Sequence, residues 1–244
     1  MRISVYDEAA PATAIYDSGL MYDSQAVYEL PVNLKPRTRY FVKLQIESDI
    51  GEQASAQTYF ETGKSTEPWK AEWITVGAEI KDEAVPVLGQ VFTVSEEISQ
   101  ARMYIASAGL FRVEINDSKT GDEYLTPYCN DYSSWMQVIT YDVTEQLKPG
   151  NNIIDVTLAN GWYKGRFGLE GNHNLYGDTL GLLLELHIEY SNGKHEVIAS
   201  DQSWYARRSP YTSAEIYDGV VLDYTRDRQT KFTADSVKLL DSDL

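Results

Sequence analysis

Cysteine is nearly missing from this chain, which has Cys129 alone among its 244 residues. An internal disulfide framework and a zinc site made of several cysteines are therefore excluded. Long apolar runs are missing as well, because no stretch approaches the roughly 20 residues that a helix needs to cross a bilayer. The first ten residues, MRISVYDEAA, contain no apolar core of a signal peptide. We expect a soluble protein that does not contact membranes.

Positive charge is in short supply. The chain has 21 Lys and Arg residues against 37 Asp and Glu residues, for a formal net charge of -16. Such a balance repels nucleic-acid phosphates and anionic lipid headgroups. Nucleic acid and membrane surfaces are therefore not expected partners, and the absence of a Gly-x-Ser-x-Gly segment argues against a serine hydrolase of that type.

Sustained helical periodicity is also missing, and short runs of alternating apolar residues separated by turn residues take its place. This pattern predicts an all-β protein made of antiparallel β-sandwiches. The clearest runs are residues 39–46 and 182–190, in which one face should be buried and the other should mostly face water. The expected buried side chains are Tyr40, Val42, Leu44 and Ile46 in the first run and Leu184, Leu186, Ile188 and Tyr190 in the second; the opposite face of the second run carries Glu185, His187 and Glu189.

Two hairpins are expected from their turn signals. Asn192-Gly193 supplies the positive φ values of a two-residue type I′ loop, which sets the register of the strands on either side. The pairs predicted to lie opposite each other are Tyr190 with His195, Ile188 with Val197, and Leu186 with Ala199. His187 and His195 would then lie on different faces, so a metal-binding histidine pair is not expected. The second hairpin, within residues 115–124, should have a longer loop.

The composition changes near residues 63–73, GKSTEPWKAEW, a polar stretch with a proline between two β-rich regions. We place a domain boundary there. The first unit is short for a seven-stranded sandwich, and residues 2–6 read as a strand with nothing before it to pair, so we expect the natural chain to begin before Met1. Residues 227–244 lose the alternation and are a linker, a frayed strand or the first element of a further domain.

Residues 34–40, LKPRTRY, have the Leu-x-Pro-x-Thr-x-Tyr spacing that is found before the sixth strand of fibronectin type III domains, which the first unit resembles. In such sandwiches the tyrosine hydroxyl bonds an upstream backbone group, an arrangement called the tyrosine corner. We therefore expect the Tyr40 hydroxyl to make this bond. The motif indicates a fold and implies no chemistry.

Three short segments are the most distinctive in the second unit: Asn160-Gly161-Trp162-Tyr163 with Gly165-Arg166, Leu175-Tyr176-Gly177-Asp178, and Ile216-Tyr217-Asp218-Gly219. With them, residues 69–219 resemble the N-terminal β-sandwich module of bacterial α-L-rhamnosidases, which a fibronectin-like domain commonly precedes. The resemblance implies a jelly-roll β-sandwich. The resulting domain bounds are 1–63 for a partial fibronectin type III-like sandwich truncated at its N-terminus, 64–71 for a linker, 72–226 for the jelly-roll domain, and 227–244 for a tail or the start of a missing domain.

The same resemblance implies a function. In α-L-rhamnosidases, which release terminal L-rhamnose by inversion, the catalytic acid and base lie on an (α/α)6 barrel that follows the β-domains. No part of such a barrel is expected here, so no catalytic residue is assigned. We expect a non-catalytic N-terminal part that supports the substrate pocket of the missing barrel, with L-rhamnose-containing glycosides and that barrel as its partners. The protein would be in the bacterial cytoplasm or secreted.

Two alternatives stay open. In the first, the sandwich is an independent L-rhamnose-binding module. Some modules that it resembles use a bound calcium ion, for which Asn130 and Asp131 begin to supply oxygen ligands. In the second, it is a purely structural spacer. No other cofactor is expected.

The loop of residues 158–178, LANGWYKGRFGLEGNHNLYGD, contains five glycines, which let the backbone adopt shapes that present neighbouring side chains to a ligand or to another domain. The candidate substrate-binding residues are Asn160, Trp162, Tyr163, Arg166 and Asp178. In the structural alternative, Trp162 fills the end of the sandwich and Arg166 pairs with Asp178. A phosphate cradle is not expected, because neither a Lys-Ser or Lys-Thr pair nor a helical pattern follows the glycines.

Catalysis by the chain itself is not indicated. Inverting glycoside hydrolysis needs two carboxyl groups roughly 6.5 to 9.5 Å apart, one of them kept protonated by its surroundings. The carboxylates in or beside loops are Asp131, Glu170, Asp178, Glu215 and Asp218. Because no spacing singles out a pair, each is taken as solvated or structural, and so is His173 in the glycine loop.

Overall fold

The computed structural model describes residues 1–22, 27–168, 170–226, 230–233 and 236–240. Their regular structure is almost entirely antiparallel β-strand, which confirms the predicted all-β class. The chain divides into two compact units, Met1–Pro68 and Trp69–Leu244. In the described ranges no helix is long and apolar enough to span a membrane.

The first unit contains one antiparallel sheet with the strand order β2-β1-β3-β4. Its strands are β1 (Arg2–Asp7), β2 (Ala14–Asp17), β3 (Arg39–Glu47) and β4 (Gln53–Glu61). The expected burial of β3 is confirmed for Tyr40 and wrong for Ile46, which is 48% exposed. The reason is that β1 pairs with β3 only as far as Gln45, so Ile46 has a neighbouring strand on one side alone.

The tyrosine corner of the first unit is confirmed. The backbone N–H of Lys35 donates a hydrogen bond to the Tyr40 hydroxyl at 2.8 Å. The Tyr40 ring is almost fully buried and stacks on Phe60 with 5.4 Å between ring centroids. The proline turn that the sequence motif predicts therefore brings the chain back over its own tyrosine.

The second unit is built from two sheets that enclose a common core. The six-stranded sheet has the order β10-β7-β12-β5-β17, with β13 also paired to β12, and the five-stranded sheet has the order β14-β6-β11-β8-β9. The strands are β5 (Ile74–Val76), β6 (Val87–Val94), β7 (Ile98–Ala108), β8 (Leu110–Ile115), β9 (Ser118–Lys119), β10 (Ile139–Asp142), β11 (Gly150–Ala159), β12 (Gly181–Tyr190), β13 (His195–Ala199), β14 (Tyr205–Arg207), β15 (Tyr211–Glu215), β16 (Gly219–Leu222) and β17 (Val237–Leu239). Strands β15 and β16 form a separate hairpin.

Apolar side chains from both sheets meet in the core of the second unit. Ile105 and Leu184 from the six-stranded sheet and Leu88 and Ile154 from the five-stranded sheet are fully buried in one cluster, together with Trp204. Each such aliphatic side chain contributes roughly 1.5 to 3 kcal/mol by leaving water. The alternation read from residues 182–190 is confirmed on this face, since its four predicted core side chains are all buried.

The opposite face of β12 does not face water as expected. Glu185 is fully buried and His187 is 7% exposed, while Glu189 is exposed. The cause is the chain just before β5, where the backbone N–H groups of Lys70 and Ala71 both donate to the Glu185 carboxylate. This segment covers the face of β12 that the alternating pattern predicted to be exposed to solvent.

Both hairpin loops differ from their predicted lengths. Tyr190 N–H donates to Lys194 O at 2.9 Å, and Gly193 has φ +83°, so the loop between β12 and β13 has three residues rather than two. The observed partners are Glu189 with His195, His187 with Val197 and Glu185 with Ala199, and the predicted register is wrong by one residue. The hairpin between β8 and β9 turns in only two residues, Asn116 and Asp117, which both have positive φ.

Part of the segment 227–244 belongs to the second unit. Strand β17 pairs with β5 through Val237 with Val76, Lys238 with Thr75 and Leu239 with Ile74. Within that segment, residues 227–229, 234–235 and 241–244 lie outside the described residues. The exact domain bounds stay a prediction.

Candidate functional site

The three distinctive sequence segments meet at one end of the second unit, which we call the rim site (residues 158–168, 170–178 and 211–222). Strand β11 ends at Ala159, and α1 (Gly161–Lys164) makes a single helical turn directly after Asn160. The β15–β16 hairpin then comes back across this turn, because Asn160 Nδ2 donates to Glu215 Oε1 at 2.5 Å. Residues some 55 positions apart in sequence thus form one surface.

Arg166 holds the glycine loop to the turn of the hairpin. Its Nε and Nη2 atoms donate to the two carboxylate oxygens of Asp218 at 3.2 and 3.0 Å. Its guanidinium carbon lies 4.9 Å from the centre of the Tyr217 ring. The structural alternative, in which Arg166 pairs with Asp178, is wrong, because the Asp178 carboxylate is exposed and accepts from the neighbouring Thr179 hydroxyl instead.

Tyr163, rather than Trp162, is buried at the end of the sandwich. Tyr163 is 4% exposed and packs edge-on against Tyr132 with 5.0 Å between centroids. Tyr132 in turn contacts Tyr176 at 5.2 Å. Trp162 is half-buried, since successive residues of a helical turn lie about 100° apart and cannot share one face. The position predicted for the tryptophan is therefore occupied by its neighbour.

The hydroxyl of Tyr163 lies directly over the backbone of Gly177. A Cβ atom at that glycine would be 2.1 Å from the hydroxyl oxygen, so no larger residue fits without movement. Burial, and after it the negative charge of Asp178, raises the pKa of Tyr163 above its ordinary value. Tyr163 thus joins two of the distinctive segments by packing.

Two polar atoms in the rim site are buried without a hydrogen-bond partner among the described residues: Asn160 Oδ1 and Glu215 Oε2. Gly165 adjoins both residues, because a Cβ there would be 2.4 Å from Glu215 Oε2 and 3.2 Å from the Asn160 Cβ. A buried acceptor that lacks a donor costs about 1 to 3 kcal/mol. The two oxygens are therefore suited to hydrogen-bond donors such as hydroxyl groups, water or backbone N–H groups.

Most of the loop carboxylates have structural partners. Asp131 accepts from Ser133 N at 3.3 Å and from the Ser134 hydroxyl at 2.9 Å, which closes a local turn. The bonds of Asp178, Glu215 and Asp218 are described above, and Glu170 is exposed. Sequence reasoning missed that Glu215 is the partner of Asn160, and nothing in the spacing indicates it.

The residues considered for calcium fit that ion only in part. Asn130 is 2% exposed, and its Oδ1 atom lacks a partner among the described residues. The Asp131 carboxylate beside it is already committed to its turn. Across the described ranges no group of three His, Cys, Asp or Glu side chains is arranged to hold a metal ion. One buried oxygen and one exposed carboxylate do not make the six to eight ligands that calcium takes.

The loop before β10, which carries Asn130, also presents aromatic rings to solvent. Tyr124 is 80% exposed, Trp135 54% and Tyr128 41%. The Lys119 ammonium lies 4.2 Å from the centre of the Tyr124 ring. Exposed aromatic rings are suited to an amphipathic ligand with apolar C–H faces and hydroxyl groups. This surface was not predicted from sequence.

Two units of antiparallel sheet, the second of them a two-sheet sandwich with a loop-built rim, define the class of protein as an all-β sandwich protein. Comparison with known families identifies it further. Residues 96–240 match the family described as "Alpha-L-rhamnosidase N-terminal domain". The chain belongs to this family. The match begins later than the expected residue 69 and extends past residue 219 to include β17.

Individual relatives agree. An α-L-rhamnosidase of Formosa agariphila is 31% identical over 226 residues, which cover 86% of this chain and 24% of that protein. One of Streptomyces avermitilis is 37% identical over 128 residues, covering 52% of this chain and 12% of that protein. The crystal structure of native α-L-rhamnosidase from Aspergillus terreus superimposes with a TM-score of 0.85 at 29% identity, covering 99% of this chain and 30% of that one. The chain therefore spans about a quarter or less of the length of these curated relatives.

Proposed function

We propose that the chain is the non-catalytic N-terminal part of an α-L-rhamnosidase that releases terminal L-rhamnose by inversion, and that its rim site supports the substrate pocket of a following (α/α)6 domain. The observation that carries the proposal is the pair of buried oxygens, Asn160 Oδ1 and Glu215 Oε2, which lack donors among the described residues. Both atoms are shielded from water in this structure, so a neighbouring domain or a sugar hydroxyl supplies the missing donors only when the rim opens. The relatives that contain a similar region are themselves named α-L-rhamnosidases.

The proposal that this part is non-catalytic is tested by assaying the 244-residue chain on an aryl rhamnoside. We expect no turnover, because the proposal places the catalytic acid and base on the following (α/α)6 domain. Turnover in the ordinary enzymatic range of about 1 to 10³ s⁻¹ would refute the view that the acid and base lie elsewhere.

The role of the rim is tested in the full-length enzyme with Asn160→Ala and Glu215→Gln. Each should lower kcat/KM about tenfold or more by misplacing the pocket wall. Because Asn160→Ala also removes the donor to the Glu215 carboxylate, its melting temperature should fall, and kcat/KM is compared below the melting transition of each variant. Glu170→Gln is the matched control, since Glu170 is an exposed carboxylate of the same loop. Equal kcat/KM in all three variants would show that the rim site does not support the substrate pocket.

The second candidate, an independent L-rhamnose-binding module, is favoured by the exposed rings and the buried, unpartnered Asn130 Oδ1 of one loop. The test is a titration of the chain with L-rhamnose, with and without calcium, followed by tryptophan fluorescence. Binding at this loop should be lost in Asn130→Ala, and Trp135→Phe should remove most of the fluorescence change, because Trp135 is the exposed tryptophan of this loop. No response of the unmodified chain in either condition rejects this candidate and leaves the first.

A purely structural spacer makes a different prediction for the glycine loop. If the loop only holds the fold, Trp162→Ala and Arg166→Ala should lower the melting temperature without any effect on ligand binding or on the activity of the full-length enzyme. Unchanged melting with lost binding or activity would reject the spacer.

A further inference from the structure

A buried carboxylate and two histidines form a line across the β12–β13 hairpin, away from the rim site. Glu185 Oε2 lies 2.7 Å from His187 Nε2, and His187 Nδ1 lies 3.3 Å from His195 Nε2. Glu185 is fully buried, His187 is 7% exposed and His195 is exposed. The three-residue loop of the hairpin produces this arrangement, because the shifted register brings His195 to the face that carries His187.

Glu185 is held in place by the chain before β5. Its Oε1 atom accepts from the backbone N–H groups of Lys70 and Ala71. Its Oε2 atom faces His187 Nε2 and, as a carboxylate oxygen, accepts the hydrogen there. In a neutral imidazole with hydrogen on Nε2, Nδ1 carries the lone pair, and that atom is the one directed at His195. A carboxylate that fixes the tautomer of a histidine in this way is the usual support of a metal-binding imidazole.

The separation of the two facing nitrogens matches a shared metal ion. Zinc–imidazole bonds of about 2.0 to 2.1 Å with tetrahedral angles put two ligand nitrogens about 3.3 to 3.4 Å apart. The observed 3.3 Å lies within that range and at the long end of hydrogen-bond distances. We propose that His187 Nδ1 and His195 Nε2 bind one divalent transition-metal ion of the zinc type, with Glu185 as the group that orients His187 and with water completing the coordination.

The surroundings of the pair are compatible with a cation. The edge of the Tyr104 ring packs against His187 at 5.5 Å between centroids, which limits its rotation. Arg102, the cross-strand partner of His187, has its charge balanced by Asp142 at 2.7 Å. Glu189 lies directly opposite His195 in the ladder and adds negative charge at the exposed end. Entry is from the side of His195, the exposed member of the pair.

The test is a calorimetric titration of the untagged 244-residue chain with zinc chloride, repeated with His195→Ala, Glu185→Gln and His173→Ala. We expect one zinc ion per chain. The affinity should fall at least about tenfold in His195→Ala and less in Glu185→Gln. His173→Ala is the matched control, since it removes an exposed histidine of the glycine loop and should leave the affinity unchanged.

Three outcomes would overturn the proposal: no heat of binding up to about 1 mM zinc, affinity that survives His195→Ala, or affinity lost equally in His173→Ala. Melting curves of every variant in the absence of zinc show whether the fold is intact, and His195 is exposed, so its removal should be tolerated. If Glu185→Gln unfolds the chain, a cobalt absorption spectrum that differs between the unmodified chain and His195→Ala decides the question alone.

Discussion

Tyr163 and Gly177 show at the scale of single residues how the rim is assembled. The tyrosine follows directly after Trp162 in a one-turn helix, and only the tyrosine is buried. Its hydroxyl occupies the space in which any residue other than glycine would place a Cβ atom. The glycine at position 177 is therefore required by a close approach, and no unusual backbone conformation is involved.

We expect Gly177→Ala to lower the free energy of unfolding by about 1 to 3 kcal/mol, because the added methyl group forces the Tyr163 ring out of its packed position. Chemical denaturation of the chain measures this loss. Gly63→Ala is the control, since a Cβ there meets nothing within 4 Å, and its effect should stay within about 0.5 kcal/mol. Equal stability of the two variants would contradict the predicted clash.

At this scale the sequence identified residue types and missed their partners. The glycines and aromatic residues of the loop marked it as the site. In the structural alternative the partner of Arg166 is Asp178, twelve positions away, whereas the observed partner is Asp218, 52 positions away. Nearby acidic residues are equally plausible on charge alone. The choice depends on where a hairpin from a later part of the chain folds back, which no local pattern records.

Hairpin loops show a similar limit at the scale of elements. Asn192-Gly193 and Asn116-Asp117 both carry strong turn signals, yet the first lies in a three-residue loop and the second is itself the two-residue loop. Alternation along β12 and β13 is compatible with either register, because the polar face of β12 is buried as well. One residue of difference brings His187 and His195 into contact, and it is the reason that sequence reasoning rejected this pair.

The β15–β16 hairpin is held at its base by an ion pair between Arg226 and a buried carboxylate, Glu83. Arg226 donates to Glu83 through both terminal nitrogens, one of them at 2.9 Å, and also to the carbonyl oxygens of Ser209 and Tyr211. The Glu83 side chain is 2% exposed. Arg166–Asp218 is a second arginine–carboxylate pair at the other end of the same hairpin, and there Asp218 is 58% exposed.

The same substitution at both arginines should have different consequences. Arg226→Met leaves the buried Glu83 with Arg208 Nε at 3.9 Å as its remaining cation among the described residues, and we expect a loss of about 2 kcal/mol in the free energy of unfolding. Arg166→Met removes an exposed pair and should cost less than about 1 kcal/mol. Denaturant titration of both variants compares them. A loss for Arg166→Met as large as that for Arg226→Met would show that burial does not set the difference.

At the scale of the whole molecule, the fold class was easier to predict than the residues at which the second unit ends. Alternation over many short segments predicted antiparallel sheets, because apolar burial on one face of a strand is repeated along the chain. The three-residue strand β17 escaped this reasoning. It is too short to show alternation, and it pairs with β5, which lies more than 150 residues earlier. The position of β17 is set by its pairing with β5, which forms only when the sandwich folds.

The chain contains 18 tyrosines, and several buried ones should make it sensitive to alkali as a whole. Burial raises the pKa of Tyr141 to about 12. Burial, followed by the hydrogen bond to Glu196, raises the pKa of Tyr190 to about 12. Burial and Asp155 also raise the pKa of Tyr205. An unfolded chain loses these protons near pH 10.

Because the folded state holds these phenolic protons more tightly than the unfolded state, their contribution to stability is fully present below about pH 10 and is lost as the pH rises towards 12. Phenolate absorbance and circular dichroism recorded together should show one group of tyrosines ionising near pH 10 and a second ionising only as the sheets unfold. Tyr190→Phe should reduce the second phase, whereas Tyr22→Phe, at a side chain that is 97% exposed, should reduce the first. A single ionisation phase complete near pH 10, with the circular dichroism of the sheets unchanged, would show that burial does not protect these phenols.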